Sequence, residues 1–200
     1  MKSVSEIIKS IGVEMNPNFS IESESLKPVY KKSYEVIFSG ISKNNQSKGL
    51  LIIGSIGCGK TFMMRLYQKV FLGSLRGFKI VNSGILIDML DEVSISEIKE
   101  RYGYGCKMDL YIDDIGVKYS VSSKYGNKVN VISEILLERY ELFVNEGWKT
   151  HLSTNLLPKN DDSNLDESNP TIQSVYGIRV YDRIKEMCAL IVFNGKSLRK

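Results

Sequence analysis

Residues 49–61 read Gly49-Leu50-Leu51-Ile52-Ile53-Gly54-Ser55-Ile56-Gly57-Cys58-Gly59-Lys60-Thr61. The first part is a continuous apolar run, which is typical of a strand buried on both faces of a parallel sheet. The second part has the spacing Gly-x-x-x-x-Gly-Lys-Thr, whose glycines let backbone amides curl around phosphate groups without a side-chain clash. In such a loop Lys60 reaches the β- and γ-phosphates, and the Thr61 hydroxyl is a ligand for Mg²⁺. The stretch therefore predicts a nucleotide-binding loop.

The residues after this loop predict a helix from Lys60 to about Leu72. Its apolar side chains recur at helical spacing, and Gly73 is a plausible stop. A helix in this position directs its N-terminus, with its partial positive charge, at a bound phosphate. The residues expected to bind ATP are Gly54, Gly57, Cys58, Gly59, Lys60, Thr61 and Phe62.

A second candidate site follows another apolar strand. Residues 108–112 end on Asp113-Asp114, so the two carboxylates are expected at the carboxyl edge of the sheet, beside the phosphate loop. Asp113 would hold Mg²⁺, directly or through water. Asp114 would orient and deprotonate the attacking water. Taken alone, an Asp-Asp pair after a strand is usually a solvated turn, and the upstream loop is what favours catalysis here.

The remaining pattern alternates strands and helices, which predicts an α/β fold with a five-stranded parallel sheet and helices on both faces. Residues 1–25 form a short N-terminal helical segment in this interpretation, and 26–200 form the ATPase domain. The other strands are expected at 78–82, 149–154 and 189–193, and the other helices at 3–13, 27–39, 83–91, 94–102, 128–145 and 170–187 with an interruption near Gly177.

The composition excludes several other classes of protein. The three cysteines form no Cys-x-x-Cys pair, and the single histidine, His151, sits in an apolar strand pattern and is interpreted as structural. No apolar run approaches the roughly 20 residues that a bilayer span needs, and the N-terminus has no signal-peptide core, so a cytoplasmic protein is expected. The net charge of +4 permits binding to nucleic acid without arguing strongly for it.

Strand four is expected to end in Ser153-Thr154-Asn155. A polar side chain there would lie between the other strand ends and could touch the γ-phosphate or the water. Out of context, the same tripeptide is the start of a loop or a helix cap, and its residues alone leave both interpretations open.

Several pieces of the sequence stand in a characteristic order and spacing. They are Gly54 to Thr61, Ile112 to Gly116, Glu138-Arg139-Tyr140, Ser153 to Leu156, Tyr176 to Arg183 and Ser197-Leu198-Arg199. In these pieces the chain resembles the DnaC/DnaI helicase loaders and the IstB-type transposition helpers, a branch of the AAA+ ATPases. The resemblance covers about residues 45 to 200, and its last two pieces are the most specific.

The resemblance implies an AAA+ type P-loop NTPase without a C-terminal lid domain, whose subunits complete one another's active sites in a homo-oligomer. It implies that Asn155 is the sensor-one residue, that Arg183 is an arginine finger for the next subunit, and that Arg199 is a sensor-two-like arginine in contact with ATP. Guanidinium groups suit both tasks because they are always charged and fork onto phosphate oxygens. Without the resemblance, Arg183 would be interpreted as part of a solvated helix face.

The resemblance also implies single-stranded DNA and a replicative helicase as partners. The candidate DNA contacts are Lys118, Ser123, Lys124 and Tyr125, where cations and an aromatic ring suit backbone attraction and base stacking, although an ordinary polar loop has the same composition. Lys99 and Arg101 are weaker candidates. Two other functions remain open at this stage: an IstB-like transposition helper whose partner is a transposase, and a P-loop kinase of small molecules, for which the sequence has no arginine-rich lid.

Overall fold

The structure is a computed structural model that describes residues 4–20, 48–72, 77–116, 130–158 and 170–193. The helix expected at 27–39 lies outside these ranges. The strands are β1 Gly49–Gly54, β2 Phe78–Asn82, β3 Asp109–Ile115, β4 Thr150–Thr154 and β5 Cys188–Phe193. The α-helices are α1 Val4–Met15, α2 Lys60–Val70, α3 Ser83–Asp88, α4 Ile95–Tyr102, α5 Val131–Glu146, α6 Ile172–Tyr176 and α7 Ile178–Met187, and a 3₁₀ turn at Met89–Asp91 follows α3.

The five strands form one parallel sheet in the order β2-β3-β4-β1-β5. β1 lies inside the sheet, with β4 on one side and β5 on the other. It is buried on both faces, as its unbroken apolar run predicts. β4 separates β1 from β3, so the end of β4 lies between the phosphate loop and the Asp113-Asp114 pair. The predicted α/β fold with a five-stranded parallel sheet and helices on both faces is therefore confirmed.

Alternate residues of the strands belong to two apolar cores, one on each face of the sheet. Leu51 and Ile53 of β1 belong to the core under α5, α6 and α7. Leu50 and Ile52 belong to the core under α2, which also contains Tyr111 of β3. Side chains two residues apart on a strand share a face, so Asp113 lies on the same face as Tyr111. This alternation brings Asp113 to α2.

Helix α1 packs against α2. Its Ile8 is buried in the core under α2, and Glu14 pairs with Lys69, whose Nζ atom is 3.7 Å from the carboxylate. Phe19 follows α1 and contacts Phe62 near the start of α2, with 5.5 Å between the ring centroids. The division into a segment 1–25 and a domain 26–200 stays a prediction.

Two predicted boundaries are wrong for local reasons. Strand β3 continues beyond residue 112 to Ile115, because pairing with β4 resumes at Ile115 and Thr154 after a shift in register. Pro170 is not the first residue of a helix: Thr171 caps α6 by accepting a hydrogen bond from the Ser174 amide at 3.0 Å, and the Ser174 hydroxyl accepts one from the Thr171 amide at 2.9 Å. The predicted interruption is present at Gly177, which separates α6 from α7 with a φ of 83°.

No helix in the described ranges has the length and apolar character needed to cross a bilayer.

Candidate functional site

The carboxyl ends of β1, β3 and β4 meet at one edge of the sheet. This edge brings together Lys60 and Thr61 at the start of α2, Asp113 on β3 and Asn155 after β4. Parallel strands place their carboxyl ends together, and crevices at such edges bind ligands in open α/β sheets. These sequence-predicted residues are therefore in direct contact.

Lys60 is the cation among these four residues, and only 5% of its surface is exposed. Its Nζ atom donates to the Gly54 carbonyl at 2.8 Å, to the Ser55 carbonyl at 3.0 Å and to Asn155 Oδ1 at 2.6 Å. All three acceptors are uncharged oxygens. Neutral acceptors offset the desolvation of a buried ammonium group only in part, so an anionic ligand would stabilise it further.

The phosphate loop has the backbone that its glycines predict. Gly57 and Gly59 have φ values of 82° and 102°, which residues other than glycine rarely adopt. Gly59 precedes α2 and provides no side-chain cap, so the first amides of α2 remain directed at the loop. The Cys58 side chain is buried in the core beneath the loop, with its sulfur 4.0 Å from Lys60 Nζ. Phe62 is half-buried, and its ring contacts that of Phe19.

The Asp113 carboxylate receives three hydroxyl groups. Thr61 Oγ1 donates to it from α2 and lies 3.0 Å from Oδ1 and 2.9 Å from Oδ2. Ser153 Oγ donates to Oδ1 at 2.7 Å, and the Tyr111 hydroxyl also donates to Oδ1. Burial, followed by the negative charge of Asp113, raises the pKa of Tyr111 far above its ordinary value, so the phenol stays protonated and remains a donor. A carboxylate beside a hydroxyl is a donor set that suits Mg²⁺.

Asp114 lies in a bulge of β3. Ile112 is opposite Leu152 and Ile115 is opposite Thr154, so Asp113 and Asp114 together face the single residue Ser153. Asp114 has a φ of 56°, which is uncommon outside glycine. Hydrogen bonds hold its backbone on both sides: its amide donates to Ser153 Oγ at 2.9 Å, and its carbonyl accepts from Ser83 Oγ at 2.6 Å. The two acidic residues therefore share Ser153 as a partner on β4.

The contacts of Arg183 in the described part of the chain are with α5 and α7. Its guanidinium group is 4.0 Å from the centroid of the Tyr140 ring on α5 and 3.7 Å from the Glu186 carboxylate. Tyr140 in turn donates to Glu186 at 2.8 Å. Arg199 and the four candidate DNA contacts, Lys118, Ser123, Lys124 and Tyr125, lie outside the described residues.

The weaker DNA candidates are engaged with carboxylates. Lys99 Nζ is 2.7 Å from Glu138 and 3.5 Å from Glu134. Arg101 pairs with Glu97 one turn earlier on α4. These ion pairs partly neutralise the charge that would attract a DNA backbone, so they disfavour both residues as DNA contacts.

Sequence reasoning missed the contacts that Tyr111 and Ser153 make with Asp113. A usable signal was present for Tyr111, since a phenol two residues before a carboxylate shares its face of a strand. Ser153 is found only once β4 is known to be the neighbour of β3. The interpretation of His151 as structural agrees with its surroundings: it is buried, and its Nδ1 atom accepts the Leu50 amide of β1 at 3.2 Å. Burial, with smaller effects of Lys149 and Arg139, lowers the pKa of His151 to about 3.

No protein-family model matches the chain, and no curated protein matches it. Solved structures do match. One described as DnaI is 21% identical, with 97% of this chain and 93% of that chain covered and a TM-score of 0.57. One described as the DnaC helicase loader is 20% identical, with coverages of 87% and 93% and a TM-score of 0.57. A DNA replication initiation factor is 18% identical, with coverages of 88% and 50% and a TM-score of 0.52.

The chain shares the fold of these solved structures. At these identities the likeness establishes the fold, and the activity has to be argued from the residues of this chain. Within this fold, the position of β4 between β1 and β3 is what brings Asn155 to Lys60 and Ser153 to Asp113.

Proposed function

We propose that this chain is a Mg²⁺-dependent ATPase that acts in DNA replication as a helicase loader with single-stranded DNA. The observation that carries the ATPase part is that a buried cation, Lys60, lies at the same edge of the sheet as a carboxylate and a hydroxyl that contact each other, Asp113 and Thr61. A cation for phosphate oxygens and a donor set for a divalent cation are the two components that binding of a nucleoside triphosphate needs.

The phosphates would be bound by the loop from Gly54 to Thr61. On binding, Lys60 would exchange its contacts with the Gly54 and Ser55 carbonyls for charged phosphate oxygens, which are stronger acceptors. The first amides of α2 would donate to the same anion.

The metal would be held by Thr61 and Asp113. These residues already contact one another, and the Thr61 hydroxyl can keep donating to Asp113 while its oxygen binds the metal. When bound, Mg²⁺ neutralises charge that develops on the β- and γ-phosphate oxygens.

Asp114 would act as the base that orients and deprotonates the attacking water. Its support is its place next to Asp113 in the bulge, where Ser83 and Ser153 hold its backbone. Asn155 would act as the sensor, because its amide oxygen accepts from the same Lys60 Nζ atom that would contact the γ-phosphate.

Arg183 would act on the ATP of a neighbouring subunit. Its partners within the chain, Tyr140 and Glu186, belong to α5 and α7 and not to the phosphate loop, so a role at its own site has no support. A homo-oligomer formed with ATP or DNA would supply the missing guanidinium group to each site.

The partners are proposed from likeness of fold. The DnaC structure is described as a helicase loader, and the present chain shares that fold over most of its length. Single-stranded DNA would be contacted by Lys118, Ser123, Lys124 and Tyr125. Fluorescence anisotropy with a labelled oligonucleotide, at rising salt and with and without ATP, tests the DNA contact. Affinity capture with a replicative helicase, compared with capture by a transposase, tests the protein partner.

Calorimetric titration with ATP and Mg²⁺ tests the ATPase site. Lys60→Ala removes a charge-assisted phosphate contact, so we expect ATP binding to weaken by about 1.5–3 kcal/mol. The matched control is Lys69→Ala, which removes an exposed lysine from the same helix and should bind ATP like the parent protein. Equal ATP affinity of Lys60→Ala and the parent protein would exclude the phosphate-loop assignment.

A further inference from the structure

Two buried hydroxyl groups converge on one oxygen of Asp113. Ser153 Oγ donates to Asp113 Oδ1 at 2.7 Å, the Tyr111 hydroxyl donates to the same atom, and the two hydroxyl oxygens are 2.9 Å apart. Tyr111 and Ser153 are completely buried, and Asp113 is 4% exposed. A carboxylate this far from solvent depends on protein donors for its hydrogen bonds.

Packing alone does not account for a tyrosine at position 111. Its neighbours on β3, Leu110 and Ile112, are aliphatic and equally buried. A phenylalanine would fill the same volume without a polar group that has to be satisfied in the core. The polar partners of the Tyr111 hydroxyl are Asp113 and Ser153. The hydroxyl group at position 111 is therefore explained by its hydrogen bond to the Asp113 carboxylate.

The donors reach Asp113 from two sides. Tyr111 and Ser153 belong to the sheet and both bond to Oδ1, whereas Thr61 belongs to α2 and contacts both carboxylate oxygens. Anchoring Oδ1 to the sheet fixes the rotation of the carboxylate and keeps its remaining lone pairs directed at Thr61. Hydrogen bonds of this kind set the orientation of carboxylates that bind metals.

Ser153 also connects the two acidic residues. Its oxygen accepts the Asp114 amide at 2.9 Å while its hydroxyl donates to Asp113. One side chain of β4 thus holds the proposed metal ligand and the backbone of the proposed base in a fixed relation.

We infer that Tyr111 and Ser153 are positioning residues that fix the Asp113 carboxylate for Mg²⁺, an inference that rests on the proposed ATPase function. The two hydroxyls do not touch the nucleotide in this scheme. They act through Asp113, so their loss should weaken the part of ATP binding that depends on the metal and leave the metal-free part unchanged.

The test compares ATP affinity in Mg²⁺ with ATP affinity in EDTA, by calorimetric titration of the full chain. For Tyr111→Phe and for Ser153→Ala, we expect affinity in EDTA to equal that of the parent protein. We expect the gain in affinity on adding Mg²⁺ to fall about 10-fold for each single variant and further for the double variant, in the range typical of residues that orient metal ligands. The Mg²⁺ concentration at half-maximal effect should rise in parallel.

The matched control is Thr150→Val, which removes a buried hydroxyl from the other end of β4, where it accepts from Arg139 Nε at 2.9 Å. This variant should melt at a lower temperature and keep the full Mg²⁺ gain of the parent protein. If Tyr111→Phe and Ser153→Ala keep that gain, or lose affinity equally in EDTA and in Mg²⁺, the positioning role is wrong while the proposed function stands. If the parent protein itself gains no affinity from Mg²⁺, the metal site of the proposed function fails and the inference fails with it.

Discussion

Asp114 combines a proposed chemical role with an unusual backbone. A φ of 56° is tolerated better by asparagine and aspartate than by most residues, because their short polar side chains bond locally in the left-handed region. Hydrogen bonds from Ser83 and to Ser153 fix that backbone on both sides. Strain of this kind is retained where the surrounding structure enforces it, and it clusters at functional sites.

This combination makes Asp114→Asn a clean test of the proposed base. Asparagine keeps the shape and tolerates the left-handed backbone, so the fold and ATP binding should be those of the parent protein. Loss of a general base should slow ATP hydrolysis about 10²–10⁴-fold. Phosphate release in single turnovers measures the rate, and calorimetric titration measures binding. Asp91→Asn, at an exposed aspartate outside the site, is the control. A rate equal to the parent's would remove Asp114 from the mechanism.

At the scale of single residues, the sequence predicted which residues form the site better than it predicted their backbone geometry. Lys60, Thr61, Asp113 and Asn155 were expected together because spacing and strand ends determine them, and the structure brings them into contact. The bulge at Asp114 could not be predicted, since it depends on the register between β3 and β4 and not on local propensity.

At the scale of the elements, Arg139 joins helix α5 to the starts of β3 and β4. It is completely buried. Its guanidinium group donates to Thr150 Oγ1 at 2.9 Å and to the carbonyls of Cys106, Met108 and Lys149 at 2.7, 3.0 and 2.8 Å. The guanidinium group has five N–H donors in one plane, so a single side chain can satisfy all of these acceptors.

We expect Arg139→Lys to destabilise the protein by about 2–4 kcal/mol. Lysine keeps the charge, but a single ammonium group cannot reach all these acceptors, and unsatisfied buried carbonyls are costly. Urea unfolding monitored by circular dichroism measures the change. Arg65→Lys, at an exposed position of α2, should change stability by less than about 0.5 kcal/mol. Because Arg139 lies at the opposite end of the strands from Lys60, the folded variant should bind ATP normally. Stability equal to the parent's would contradict this account.

Most helices and strands in the described ranges were predictable, and the order of the strands was not. An apolar run such as 49–53 indicates that a strand is buried on both faces, but it does not indicate which strands lie beside it. The place of β4 between β1 and β3 is therefore known only from the structure. Arg139 was missed for a related reason. Its place in the helical pattern of α5 is on the same face as Ile135 and Leu136, but the acceptors that satisfy a buried guanidinium group are found only from the packing of the strand starts.

For the whole molecule, the position of Arg183 bears on assembly. Its guanidinium group is held on α5 and α7 by Tyr140 and Glu186, and its side chain remains 37% exposed. Since these contacts, the ones given by the described residues, leave the guanidinium group partly exposed, it can reach the phosphate loop of another subunit. If it does so, hydrolysis per subunit should rise with protein concentration or on adding single-stranded DNA.

Mixing two inactive variants tests this directly. Lys60→Ala supplies a defective site with an intact Arg183, and Arg183→Ala supplies an intact site without the arginine. Arginine fingers contribute about 10³–10⁵ to the rate in other P-loop enzymes, so each variant alone should be nearly inactive. The mixture should regain ATP hydrolysis at interfaces that combine the intact halves. Arg179→Ala, one turn earlier on α7, is the control. If no activity returns and the parent's specific activity is flat with concentration, Arg183 is a surface residue.

The place of β1 between β4 and β5 has a consequence for how the chain is made. Both of its sheet neighbours come later in the sequence: Leu51 pairs with Leu152, and Gly49 pairs with Cys188. At about 5–20 residues per second, a ribosome needs on the order of ten seconds to proceed from β1 to β5. Until β4 has been synthesised, the apolar strand β1 has neither neighbour, and until β5 has been synthesised it has only one. The phosphate loop is thus made before both of the strands that flank β1.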